Sequence, residues 1–154
     1  MKKLILAMTV LMSSAAFAEG FVCENYENAL RVKVFNHVSP SEGTRTVGIM
    51  VLSDTSIEQG RKTIATFSSD DQLVTNESAT YSALVDLRYN ESSRKGENIG
   101  GTKLGQLKYV ILDVDFTHAQ PVPAGTRLEG ELILKKRSGE DIRLDVSCLR
   151  YLKN

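Results

Sequence analysis

Residues 107–116 read LKYVILDVDF, with Val110, Leu112, Val114 and Phe116 at every second position. That spacing puts these four on one side of an extended chain and Tyr109, Ile111, Asp113 and Asp115 on the other, the signature of a strand with one buried face. A helix would instead repeat its apolar positions every three or four residues. The period of two recurs on both sides of this stretch. Upstream, Tyr81, Ala83, Val85, Leu87 and Tyr89 alternate with Ser82, Leu84, Asp86 and Arg88. Downstream, Leu128, Leu132 and Leu134 share a face in one run, and Ile142, Leu144, Val146 and Cys148 do so in the next. Between these two runs, Arg137-Ser138-Gly139-Glu140-Asp141 is short and contains a glycine, which predicts a β-hairpin.

Nearer the start, Leu30, Val32 and Val34 oppose Arg31 and Lys33, and Phe21 and Cys23 can share a face. Residues 47–53 (VGIMVLS) and 62–67 (KTIATF) are β-rich runs bounded by Ser53-Asp54 and Gly60. Helical signals are confined to residues 24–30 (ENYENAL) and 69–72 (SDDQ), each too short to form a helix unaided. The sequence therefore predicts an all-β fold: an antiparallel β-sandwich of about eight strands, with a small closed or half-open β-barrel as the alternative.

Residues 1–18 read as a cleaved secretory signal peptide and residues 19–154 as a single all-β domain. Lys2 and Lys3 supply the charged start, residues 4–12 (LILAMTVLM) the apolar run, and Ala16-Phe17-Ala18 the small-residue cleavage pattern. The apolar run falls short of the roughly 20 residues a spanning helix needs. Cys23 does not follow the cleavage point directly, so the pattern is not one for lipid attachment. The compact leader is bacterial in style, and a periplasmic or secreted location is expected, with no membrane span in the mature chain. Repeats, low-complexity tracts and internal linkers are absent from residues 19–154.

The 154 residues carry 19 basic and 19 acidic side chains. Removing Lys2 and Lys3 with the leader leaves 17 against 19, a net charge of −2. Nucleic-acid binding, which draws on a surplus of Lys and Arg, is disfavoured. Only Met50 of the four methionines remains, so a Met-rich groove is excluded. Cys23 and Cys148 stand near the two ends of the mature chain, and an oxidising compartment predicts that they pair and join the termini.

No residue pattern specifies a cofactor or a catalytic centre. Neither a GxSxG elbow nor a CxxC pair occurs, and His37 and His118 lack the HxH or HExxH spacing of a metal site. Asp113, Asp115 and His118 form the one metal candidate, against the plainer reading of two solvent-facing carboxylates. Glu129/Glu131 and Asp113/Asp115 are paired carboxylates, but 6% aromatic content and no Trp offer a sugar ring little to stack on. Residues 90–107 hold Gly96, Gly100, Gly101 and Gly105 among Arg94, Lys95 and Lys103. No helix follows to make them a phosphate loop, so a bulged connection with positive φ is expected.

Opposite the expected core, Met50 and Leu52, Leu84, and Tyr109 with Ile111 alternate outward. They are candidates for a partner surface, a ligand site or a second minor core. The favoured function is an exported, non-enzymatic β-domain that binds a protein or envelope component. Two alternatives stand beside it. One is a carrier of small apolar ligands with a cavity lined by Tyr81, Val114 and Phe116; the other is an enzyme whose residues converge only in the fold.

Overall fold

The computed structural model describes residues 18–39, 45–56, 60–69, 74–77, 80–85, 96–115 and 124–153. Among these described residues eleven strands form in chain order: β1 (Ala18–Asn25), β2 (Leu30–Ser39), β3 (Arg45–Asp54), β4 (Lys62–Ser68), β5 (Val74–Glu77), β6 (Thr80–Leu84), β7 (Asn98–Ile99), β8 (Thr102–Lys103), β9 (Leu107–Val114), β10 (Arg127–Lys136) and β11 (Asp141–Lys153). Nine of them make one antiparallel sheet in the order β4-β3-β2-β1-β11-β10-β9-β6-β5, and β7 pairs with β8 alone. The all-β, antiparallel expectation is met in its barrel form. The single sheet curls until its edges approach, with Val74 of β5 lying against Gly48 of β3. Beyond the end of β4, the Ser69 amide donates to Gly48 O at 3.0 Å while Ser69 Oγ accepts from Gly48 N at 3.1 Å.

Curling one sheet on itself gives each strand an inner and an outer face, so the period of two becomes a radial sorting. Val110, Leu112 and Val114 point inward from β9, Leu132 and Leu134 from β10, and Val32 and Val34 from β2, all at most 2% exposed. Phe21 of β1 and Tyr81 of β6 meet edge to face across the interior, their ring centroids 6.4 Å apart. Strands distant in the sheet thus touch through their side chains.

The disulfide between Cys23 and Cys148 is present and joins the strands at the two ends of the domain. The two residues face each other directly in the β1–β11 ladder, with Cα atoms 3.9 Å apart, and the bridge lies in the core at 0% and 1% exposure. Gly130 of β10 sits beside it. A Cβ at that position would stand 2.6 Å from the backbone oxygen of Asp113 and 3.2 Å from Cys148 Sγ, so the missing side chain is what lets β9 and the disulfide approach.

The β10–β11 hairpin turns through residues 137–140, as its sequence predicts. Gly139 takes φ +97, its amide donates to Lys136 O, and the Lys136 amide donates to Glu140 O. Arg137 reaches out of this turn to donate to Val85 O at 2.6 Å, tying the hairpin to the end of β6. Two of the four glycines of residues 90–107 take the expected positive φ: Gly100 at +52 and Gly101 at +85, at the turn between β7 and β8.

One expectation is corrected, that for Met50 and Leu52, and the weak helical signal at residues 24–30 resolves as a turn. Residues 24–30 form no helix: β1 runs to Asn25, and residues 26–29 turn back into β2. The cause is the Asn25 side chain, whose Oδ1 accepts from both the Asn28 amide (2.8 Å) and Asn28 Nδ2 (2.9 Å) while its Nδ2 donates to Asp145 O. A side chain that bonds the backbone three residues on fixes a turn in competition with a helix. Met50 and Leu52 are not outward but core residues, each 0% exposed, opposite Val34 and Val32 in the β2–β3 ladder. Their neighbours Ile49 and Val51 take the outer positions. Of the second short helical signal, Ser69 lies in a turn and residues 70–72 fall outside the described part.

Candidate binding face

Two apolar regions lie on the outside of the barrel. The first crosses β6, β9 and β10. In the ladder, Leu84 stands beside Tyr109, and Ser82, Ile111 and Ile133 align across the three strands. Tyr109 and Ile111 therefore face outward as the sequence predicts, and both are half-buried. Lys108 Nζ lies 5.5 Å from the Tyr109 ring centroid. Ion pairs border the region: Arg143 with Glu131 at 2.6 Å and Lys135 with Asp141 at 3.4 Å.

The second region crosses β3, β2, β1 and β11, and combines Ile49 and Val51, Phe35, Val22, and Leu149 with Tyr151. These side chains are half-buried except Leu149, which is 38% exposed. Lys33 sits in their midst, its Nζ 5.2 Å from the Phe35 ring centroid and 5.0 Å from that of Tyr151, so two rings hold one ammonium. The Tyr151 hydroxyl donates to Val34 O at 3.4 Å. Burial pushes its pKa above the usual tyrosine range, with the nearby Tyr81 adding to the effect, so the phenol stays neutral.

Elsewhere among the described residues the outer surface carries more polar hollows. An open groove of about 790 Å³ runs between the β1–β2 turn and β10–β11, lined by Glu24, Glu27, Glu129, Arg143, Asp145 and others, with the exposed Tyr26 at its rim. A smaller hollow lies beside Asp113, Asp115, Glu129 and Glu131. Its carboxylates have separate engagements: Asp113 accepts from Thr80 Oγ1 at 2.9 Å, and Glu131 pairs with Arg143.

Asp113 of β9 and Asp115 just past its end are exposed, and His118, the third member of the trio, lies outside the described residues. Among the described residues no three His, Cys, Asp or Glu side chains gather as metal ligands would. Phe116 likewise falls outside the described part, while Val114 and Tyr81 are packed into the core at 2% and 3% exposure. No described helix is long and apolar enough to cross a membrane.

Sequence reasoning missed the second region because residues 47–53 are apolar on both faces, and because Phe35, Val22, Leu149 and Tyr151 come from three distant parts of the chain. The available signal was Ile49 and Val51, which occupy the parity opposite to Met50 and Leu52. Comparison with known proteins adds no family to this picture: no family model, no curated protein and no solved structure matches the chain.

Proposed function

We propose that the protein is an exported, non-enzymatic binding domain that attaches to a component of the cell envelope through the outer face of β3, β2, β1 and β11. The observation that carries this reading is the apolar surface formed by Val22, Ile49, Val51 and Leu149 around the Lys33–Phe35–Tyr151 stack. A half-buried apolar area with an aromatic-held cation at its centre has the composition of an interaction surface. The inward side chains of the described strands pack into one buried cluster, which supports surface binding over carriage of a small apolar ligand in an enclosed cavity of several hundred cubic ångströms.

Export is part of the same proposal. The 1–18 leader pattern supports it, and the buried disulfide suits an oxidising compartment. Cleavage after Ala18 would remove one residue of β1 and only its pairing with Lys153. The cut therefore falls where the barrel can tolerate it.

The test is site-specific crosslinking in envelope extracts, with a photoreactive group at position 149. An adduct that forms with the parent protein and disappears when Val22→Lys and Val51→Lys are combined is the expected outcome. Crosslinking of equal yield in that variant, with its fold intact by circular dichroism, would remove this face as the binding surface.

A further inference from the structure

The two neighbours of β11 do not cover it equally. β10 pairs with it from Asp141 to Leu149, whereas the β1 ladder stops at Glu24 and Ser147, one residue before β1 ends and turns towards β2. Residues 143–146 therefore have a strand on one side and the open groove of about 790 Å³ on the other. Parity decides which backbone groups face that groove. In an antiparallel strand the N–H and C=O of one residue point to the same side, and successive residues alternate. The Arg150 amide donates to Thr126 O and Arg150 O accepts from the Gly125 amide, so the even-numbered residues of β11 face β10. On the opposite side Asp145 O accepts from Asn25 Nδ2 at 2.8 Å, so Arg143 and Asp145 turn their backbone groups towards the groove.

Side chains sort by the same alternation. Ile142, Leu144 and Val146 lie on the inner face against the core, and Arg143, Asp145 and Ser147 are exposed on the outer one. Glu24 from β1, Glu27 from the β1–β2 turn and Glu129 from β10 join Asp145 in the groove wall, and Tyr26 stands at the rim, 74% exposed. Among the described lining residues, four carboxylates thus accompany the Arg143 guanidinium, which is itself held by Glu131 at 2.6 Å. Their field attracts cations.

We infer that this groove docks an extended basic segment of a partner protein, which adds a strand to the uncovered edge of β11. The N–H and C=O of Arg143 and the N–H of Asp145 supply the main-chain hydrogen bonds by which a sheet edge takes up a peptide. A strand laid there places alternate side chains on the two faces of the sheet. Lys or Arg at every second position then meets the carboxylates of Asp145, Glu129 and Glu27, while apolar residues between them extend the inner row of Ile142 and Leu144. The Tyr26 ring offers a face to one of the cations. The Asn25 amide already occupies Asp145 O and so marks the end of the site next to β1. At about 3.3 Å per residue, the edge from Asp141 to Val146 takes a segment of roughly six residues. The groove shares no described residue with the apolar face of β3, β2, β1 and β11, so the inference goes beyond the envelope-binding proposal and does not rest on it.

The experiment follows amide hydrogen exchange by NMR in the purified, disulfide-bonded protein, alone and with a short synthetic peptide in which Lys alternates with Val. In the free protein the Arg143 and Asp145 amides should exchange quickly, while those of Ile142, Leu144 and Val146 are held by β10. Adding the peptide should slow exchange at Arg143 and Asp145 at least about tenfold. In an antiparallel pair, the residue opposite Arg143 or Asp145 shares their outer face and points its own amide back at them. N-methylation of the peptide at its Lys residues should therefore abolish binding, and N-methylation at its Val residues should leave it intact. Combining Glu129→Lys with Asp145→Lys, both on exposed positions, should weaken binding at least about tenfold with the fold unchanged by circular dichroism. Arg143 and Asp145 amides already protected in the free protein would mean that the edge is covered, and would overturn the site, as would an alternating peptide that does not bind. Equal binding of a peptide with the same Lys and Val in separate blocks, or of the one N-methylated at Lys, would overturn strand addition. Binding unaffected by the double variant would remove the groove carboxylates from the site. Crosslinking at position 149 is read separately, so failure here leaves the envelope-binding proposal to its own test.

Discussion

Removing the Cys23–Cys148 bridge should destabilise the protein by about 5 kcal/mol. The bond closes a loop with a sequence separation of 125, and the chain-entropy model gives that magnitude for the freedom it removes from the unfolded chain. For the 154 − 18 = 136 residues that would remain after the proposed cleavage, with an unfolding entropy of about 2 cal/mol/K per residue, the loss corresponds to a fall in Tm of roughly 15–20 °C. The assay is thermal unfolding by circular dichroism of the parent and of the combined Cys23→Ala and Cys148→Ala variant. Because both sulfurs are buried beside Gly130, the substitution also leaves a small void, so a second measurement separates the effects. Parent protein unfolded in denaturant with and without reductant compares the same sequence with and without the bond. Agreement between the two methods within about 1 kcal/mol assigns the loss to the tether and not to packing. The same burial makes a kinetic statement: a reductant should reach the bond only when the β1–β11 ladder opens, so reduction of the folded protein should track its opening rate. A double variant that melts within about 3 °C of the parent would mean that the bridge does not restrain the unfolded chain as the loop-entropy model requires.

Three further outcomes follow from the packing. Gly130→Ala should cost about 1–3 kcal/mol in denaturant unfolding, because the added methyl meets the Asp113 backbone oxygen at 2.6 Å and backbone cannot step aside as a side chain can; an unchanged midpoint would contradict that close approach. Met50→Lys should abolish cooperative unfolding, whereas Val51→Lys should shift stability by no more than about 0.5 kcal/mol, since the two adjacent residues occupy opposite faces of β3. Similar losses for both would contradict the register. The Asp54 carboxylate accepts from the Ser56 hydroxyl (2.6 Å) and the Ser56 amide (2.8 Å), which hold its pKa below the usual value. A depressed carboxylate pKa gives stability that is present above the unfolded value near 4 and is lost as pH falls through the folded one. Asp54→Asn should therefore flatten a small acid-side step in the stability profile below about pH 4, and an identical profile would show that the exposed turn contributes nothing.

Much of this architecture is legible in the sequence where polar and apolar residues alternate cleanly. In β9 and β2 the outward positions are charged or distinctive, so the inner set, Val110, Leu112 and Val114 or Val32 and Val34, is fixed by the local pattern alone. The hairpin at Gly139 is local for the same reason: one residue with positive φ between two alternating runs defines it. Tyr109 and Ile111 were placeable outward because Val110 and Leu112 had already claimed the inside. Pairing of the cysteines was expected from their number and from the compartment that the leader pattern suggests.

β3 shows where that reasoning stops. Ile49, Met50, Val51 and Leu52 are all apolar, so a period of two has no contrast to act on, and a shift of one residue exchanges the faces. The choice is made by β2, whose Val32 and Val34 lie opposite Leu52 and Met50 and carry them inward. The β1–β2 turn was decided by Asn25 bonding both Asn28 and the backbone of β11, a contact 120 residues away in sequence. Closure into one curled sheet, the apolar face that gathers Val22, Phe35, Val51 and Leu149, and the stretch of β11 that β1 leaves uncovered likewise depend on which strands become neighbours. Alternation along a strand is a local property of the chain, and the sequence alone determined it. Adjacency between strands is set by the packing of the whole core, so the outer surfaces that could bind anything exist only once the barrel has formed.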